Sequence, residues 1–151
     1  MLASMPRMAG SEIVEYLARP HVVVLSVSRR GRGPVAVPLW YDYSDGRFWL
    51  ITARESLHGR IIRQVGRATL TFHSEDYGES HTVEEYVMAE GPVEFVGDDI
   101  RPVIHRIRSR YYSGPRATEW VNRPLVPETL NQRVVVLSPE TLSGYRWEES
   151  L

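Results

Sequence analysis

Short β-branched and aromatic runs, each closed by Gly, Pro or a polar cluster, recur along this chain and predict strands. His21 to Ser28 is dense in Val, and the turn segment RRGRGP separates it from a second run, Val35 to Tyr41. Asp42 to Gly46 holds an Asp-Gly pair suited to a tight hairpin, so these two runs and Arg47 to Thr52 are expected to form an antiparallel meander. Ala68 to His73 reads as a fourth strand, Glu75 to Glu79 as a polar loop, and His81 to Phe95 as one long strand or a bent pair broken near Gly91-Pro92, where a barrel would turn a corner. Arg133 to Leu137 is a final core strand, and Tyr145 to Trp147 an aromatic tail.

Helical spacing marks three segments. Ser11 to Ala18, capped by Ser11, places Ile13, Val14 and Leu17 on one side. Thr52 to Glu55 matches a capping box, with a helix running to about Val65 on a stripe of Leu57, Ile61, Ile62 and Val65, and stopping at Gly66. Asp98 to Tyr112 repeats Ile100, Val103, Ile104, Ile107 and Tyr111, with Arg101, Arg106, Arg108 and Arg110 largely elsewhere. Residues 1–20 form an N-terminal helix and arm, and 113–130 an irregular Pro-rich excursion, within a single domain spanning 1–151. Six strands with two or three short helices argue against an alternating α/β sheet and for a small, mainly β, closed or nearly closed antiparallel barrel. Such a barrel is small for a large cofactor, which favours a site on its outside completed by a second subunit.

Charge and composition narrow the chemistry. All 18 basic side chains apart from histidine are Arg and 19 are acidic, a net charge of -1, so no general attraction to nucleic acid or anionic membrane is expected and any anion site must be local. Lys is absent, which removes Schiff-base chemistry through a side-chain amine, and Cys is absent, which removes disulfides and thiolate ligands. No apolar run approaches the roughly 20 residues that span a bilayer, and the first residues lack the order of a secretory signal, so a cytoplasmic location is the economical assignment.

Candidate chemistry gathers where a strand feeds a short basic helix, over Thr52, Arg54, Ser56, His58 and Arg60. A hydroxyl, Arg forks and helix N–H groups at one point suit a phosphate. The plain reading of Thr52 is helix capping, which competes for the same hydroxyl, and Glu55 favours it. The plain reading of Arg54, Arg60, Arg63 and Arg67 is a solvated helix face. His73 and His81 flank Glu75, Asp76 and Glu79, but the spacing matches no metal-ligand pattern, and no metal site is expected. Trp120, Trp147, Tyr111, Tyr112 and Tyr145 suit either a substrate pocket or interface packing. The Arg-rich segment Arg101 to Arg110 lacks a recognition motif and neighbours Asp98 and Asp99, so no nucleic-acid partner is expected.

The segment GPVAVPLWY, the Asp-Gly hairpin after it, and a strand ending in Thr before a short basic helix together resemble the pyridoxamine 5'-phosphate oxidase-like split β-barrel superfamily, in particular its actinobacterial flavin- and deazaflavin-dependent oxidoreductases. The resemblance runs from about His21 to Phe95, with weaker agreement at VVVLSPETLSGYRW. It implies a six-stranded split barrel and a homodimer with cofactor sites at the interface. The phosphate of FMN, or the phosphodiester tail of F420, would sit at Thr52, Arg54, Ser56, His58 and Arg60. The strand bearing Pro38 and Trp40 would run beside the ring, with Trp40 and Tyr41 on opposite faces. Members usually carry Lys where this chain has His58, a weaker cation near neutral pH. The function so implied is an F420- or FMN-dependent oxidoreductase acting on a small conjugated organic substrate, the ring doing the chemistry, so that no catalytic side chain is required. The alternative is a non-catalytic dimeric barrel that binds or carries a flavin-type ligand weakly or not at all.

Overall fold

Alternating burial along the β-branched runs builds the sheet, and the structure, a computed structural model, describes residues 5–127 and 131–151. Residues 1–4 of the arm and 128–130 of the excursion lie outside the described residues. The strands are β1 (Val23–Arg29), β2 (Arg32–Leu39), β3 (Asp42–Ser44), β4 (Arg47–Ala53), β5 (Arg67–Tyr77), β6 (His81–Phe95), β7 (Gln132–Leu137) and β8 (Thr141–Ser150). The helices are α1 (Gly10–Ala18), α2 (Leu57–Val65), α3 (Arg101–Tyr111) and α4 (Ala117–Val121). Strand order is β2-β1-β5-β6-β7-β4-β3, with β8 also on β6, and every pairing is antiparallel. The path begins at β2 and ends at β3, which follow each other in the chain but do not pair, so the barrel is split rather than closed.

That order corrects the expected meander. The hairpin at Asp45-Gly46 forms as expected, both residues having positive φ (56° and 69°), but it joins β3 to β4, while β2 pairs with β1 alone. The chain instead turns out of the sheet at Trp40 and Tyr41. Eight strands replace six because two signals were weak: β3 is only three residues long, and β8, read as an aromatic tail, is a polar strand paired to β6 from Thr141 to Ser150. Glu75 to Tyr77, read as loop, continue β5 opposite Thr82 to Glu84. At Gly91-Pro92, β6 leaves β8 and takes up β7. Only glycine fits at 91, since a Cβ would lie 2.0 Å from the Ser138 carbonyl oxygen.

The main core fills the barrel with Tyr41, Phe48, Leu50, Leu70, Phe72 and Val87, closed by Ile13, Tyr16 and Leu17 of α1 and Ile61 and Ile62 of α2. A second cluster lies under α3, where Ile100, Val103 and Ile107 pack on Val134 and Val136. Strand β7 is buried on both faces, which explains its unbroken apolar run. Some expected apolar positions are instead exposed: Val14 on α1, and Leu57 and Val65 at the two ends of α2, whose short length lets only its middle turn reach the barrel. Helix α1 starts at Gly10, with Glu12 accepting the Ala9 N–H at 2.9 Å, so Ser11 is not its cap. Helix α3 starts at Arg101 rather than Asp98, and α4 lies within the stretch expected to be irregular. No helix of the described residues is long and apolar enough to cross a membrane.

Candidate functional site

Thr52, next to last in β4, is 4% exposed and lies opposite Arg133 on β7. It does not cap α2. The chain passes through a turn over Arg54 to Ser56, and Ser56 is the cap, its hydroxyl accepting the Gly59 N–H at 3.1 Å and donating to the Ala53 carbonyl at 2.6 Å. The extra turn arises because Ser56 is itself a strong cap, placed where β4 has already ended, and this leaves the Thr52 hydroxyl free for another partner. That partner is His58, whose Nε2 forms a hydrogen bond with Thr52 Oγ1 and lies 3.2 Å from Ser56 Oγ. Burial pushes the His58 pKa below its usual 6.5, so the imidazole is neutral at neutral pH.

Arg54 and Arg60 are exposed, and their guanidiniums have no hydrogen-bond or ion-pair partner among the described residues. Glu55, the carboxylate that would oppose an anion, is held by Arg63 at 3.1 Å. Gly59 was not foreseen as part of this corner. A Cβ there would lie 2.3 Å from the Ala53 carbonyl oxygen and 2.6 Å from that of Arg54, so glycine is what lets the first turn of α2 close onto the end of β4. The available signal was an isolated glycine inside a helical pattern. The structure thus brings Thr52, Ser56 and His58 together with two open guanidiniums beside them. It places Pro38 and Trp40 elsewhere: Pro38 is exposed on the outer face of β2 opposite Val24, and no hydrogen bond or ring contact joins either residue to the Thr52 group among the described residues.

Trp40 and Tyr41 do face opposite ways. Tyr41 is fully buried, its hydroxyl 2.9 Å from the carbonyl oxygens of both Leu17 and Arg19, and burial raises its pKa. Trp40 is 40% exposed and stacks on Tyr111 with centroids 4.3 Å apart. Tyr111 donates its hydroxyl proton to the His21 carbonyl, accepts the Tyr41 N–H at 3.2 Å, and has a pKa pushed up to about 12 by burial.

Among the described residues one His–carboxylate group comes together, His73, Glu75 and Glu84, with ligand atoms within 4.8 Å of one another. Asp76, Glu79 and His81, grouped with them by sequence, are not part of it, and His81 pairs with Glu148 at 3.0 Å. The Tyr77 hydroxyl already sits 3.0 Å from both Glu75 and Glu84.

A family model described as pyridoxamine 5'-phosphate oxidase matches residues 9–145. The chain belongs to that family. No curated protein matches this family member by sequence. Its structural neighbours include a FAD-binding protein from Mesorhizobium loti, with 21% identity, 98% of this chain and 100% of the other covered, and a TM-score of 0.66. A FAD and heme binding protein from Mycobacterium smegmatis shares 17% identity over 91% of this chain and 70% of its own, with a TM-score of 0.70. An F420 reductase shares 15% identity over 85% and 93%, with a TM-score of 0.59. At such identities these neighbours establish the common fold.

Proposed function

We propose that this family member is a cytoplasmic flavin-type oxidoreductase that uses F420 or FMN to reduce or oxidise a small conjugated organic substrate, as a homodimer with the cofactor at the subunit interface. The observation that carries this reading is the corner at the start of α2. Two hydroxyls and an imidazole converge at a helix N-terminus, the guanidiniums of Arg54 and Arg60 have no partner among the described residues, and the Glu55 carboxylate is tied to Arg63. This donor set suits a phosphate or phosphodiester. The family, and neighbours described as FAD-binding and as an F420 reductase, support a flavin-type ligand.

When bound, the ring accepts or donates a hydride; the chain's residues hold and orient it. Thr52 and Ser56 offer hydroxyls, Arg54 and Arg60 offer paired donors, and His58 carries a proton to the anion only if binding raises its pKa. The second subunit is supported by the outer sheet face, where Pro38, Val24, Thr71 and Met88 lie in one cross-strand row, with Val24 36% and Met88 44% exposed. The alternative, a non-catalytic barrel that binds such a ligand weakly, is favoured by one observation: His58 is neutral and already bonded within the corner.

Titration of the cofactor-free protein with FMN and with F420, followed by fluorescence and heat, tests the reading. Micromolar or tighter binding of one supports it, and binding of neither overturns it. His58→Lys separates the two readings: a large gain in affinity marks a degenerated site, whereas loss of binding marks His58 as a working ligand.

A further inference from the structure

The aromatic residues at the C-terminal end of α3 form a continuous ladder. Tyr111 stacks on Trp40, the Tyr112 ring meets Trp40 edge-on at 5.6 Å, Tyr112 stacks on Trp120 at 5.5 Å, and the Arg123 guanidinium lies 5.5 Å from the Trp120 centroid. The far end of this ladder opens into a groove of about 170 Å³ lined by Arg108, Tyr112, Trp120, Arg123, Pro124 and Val126. An apolar cavity of about 150 Å³ accommodates benzene, so the groove is the size of one aromatic ring.

Its charge is one-sided, because among the described residues two guanidiniums line it and no carboxylate does. Arg108 donates to the Arg123 carbonyl at 2.6 Å, which fixes the segment after α4, and neither arginine has an ion-pair partner among the described residues. The nearest acidic residue in sequence, Glu119, is bound by Arg116 at 2.7 Å. A ladder serving only to hold the five-residue α4 would have no use for two unneutralised cations. The larger cleft under α1, about 460 Å³, differs in this respect, since its buried Glu85 is already bridged by Arg19 at 3.2 Å and Arg146 at 3.5 Å.

We propose that this groove binds a planar aromatic anion, with an aryl carboxylate as its chemical class, the ring lying against Trp120 and Tyr112 and the carboxylate taken by Arg123 and Arg108. That such an anion is the substrate of the oxidoreductase rests on the function proposed above, through the ladder that connects the groove to Trp40; the binding site itself does not.

The test uses the full chain without cofactor and three probes, para-fluorobenzoate, para-fluorobenzamide and para-fluorobenzamidinium, followed by fluorine NMR and heat. The carboxylate is expected to bind at least tenfold more tightly than the neutral amide, and the cation weakest. Arg123→Gln should abolish that preference while leaving amide affinity within twofold, and Arg123→Lys should keep part of it, both with an unchanged melting temperature, and Trp120→Leu should weaken carboxylate and amide alike by at least tenfold. Equal affinity for the three probes, or binding indifferent to these substitutions, overturns the groove. Probe binding with no binding of FMN or F420 supports the groove and overturns the oxidoreductase reading; tight cofactor binding without probe binding overturns the groove alone.

Discussion

Two arginine-rich helices with similar sequence signatures end in opposite states. On α3 the guanidiniums of Arg101, Arg106 and Arg110 are struts held by carboxylates, and Arg108, bonded among the described residues to the Arg123 carbonyl alone, is the exception. Arg106 and Arg110 reach Asp42 at 2.9 and 3.8 Å, and Arg110 also donates to the Leu17 carbonyl at 2.7 Å, supplying a positive charge at the end of α1, whose own last turn has none. Arg101 is held by Asp99. Around α2, Arg63 is paired with Glu55, while Arg54 and Arg60 point to solvent unpaired. A count of arginines along the sequence does not distinguish a brace from an anion site; the partners do.

The sharpest way to break this comparison is to remove the carboxylate that makes α3 a brace. Asp42→Ala leaves Arg110, whose side chain is only 16% exposed, without its acid, and about 3–5 kcal/mol of stability should be lost in urea unfolding. A loss below about 1 kcal/mol would show that Arg110 is held by the carbonyls alone. Gly59→Ala comes next. The new methyl must displace the Ala53 carbonyl, and a loss of about 1–3 kcal/mol is expected. A neutral result would mean that the corner can widen, and would weaken it as a preformed site.

The open arginines should behave in the reverse manner. Arg54→Gln with Arg60→Gln is expected to leave the melting temperature unchanged and to weaken whichever of FMN or F420 binds by at least tenfold; a lower melting temperature with unchanged affinity would place them with the braces.

Much of this corner was legible in the sequence, because Thr52, Ser56 and His58 lie within seven residues and a strand-turn-helix brings them together locally. The capping assignment failed because both Thr52 and Ser56 are competent caps, and which of them serves depends on how far β4 is drawn out by pairing with β7. Pro38 and Trp40, expected beside the ring and not at the phosphate corner, lie apart from that corner because β2 pairs with β1 and not with the β3–β4 hairpin.

The smallest expected effect compares one histidine from each region. Burial lowers the pKa of both His58 and His21 from 6.5, with Arg19 and Arg110 adding to the effect at His21. The unfolded chain therefore takes up protons first as the pH falls, so stability contributed by the neutral rings is complete above about 6.5 and declines below it until the folded-state values are passed. Urea midpoints measured across that window should fall with pH, less steeply in His58→Gln and in His21→Gln. A decline unchanged by either substitution would assign it to other groups.

The sequence alone determined what neighbouring residues decide between themselves. Those features are the β-branched strands, the Asp45-Gly46 turn, the Gly66 stop with its positive φ of 68°, and the grouping of hydroxyls and imidazole at the start of α2. Only the tertiary structure decided which strands pair, that the polar segment from Thr141 to Ser150 is a strand, that Tyr41 is buried and Trp40 exposed, and which arginines remain open. The reason is distance along the chain. A turn or a cap is a balance among a few adjacent dihedrals and hydrogen bonds, whereas Asp42 meets Arg106 across 64 residues, and that meeting depends on the order in which the whole sheet is assembled.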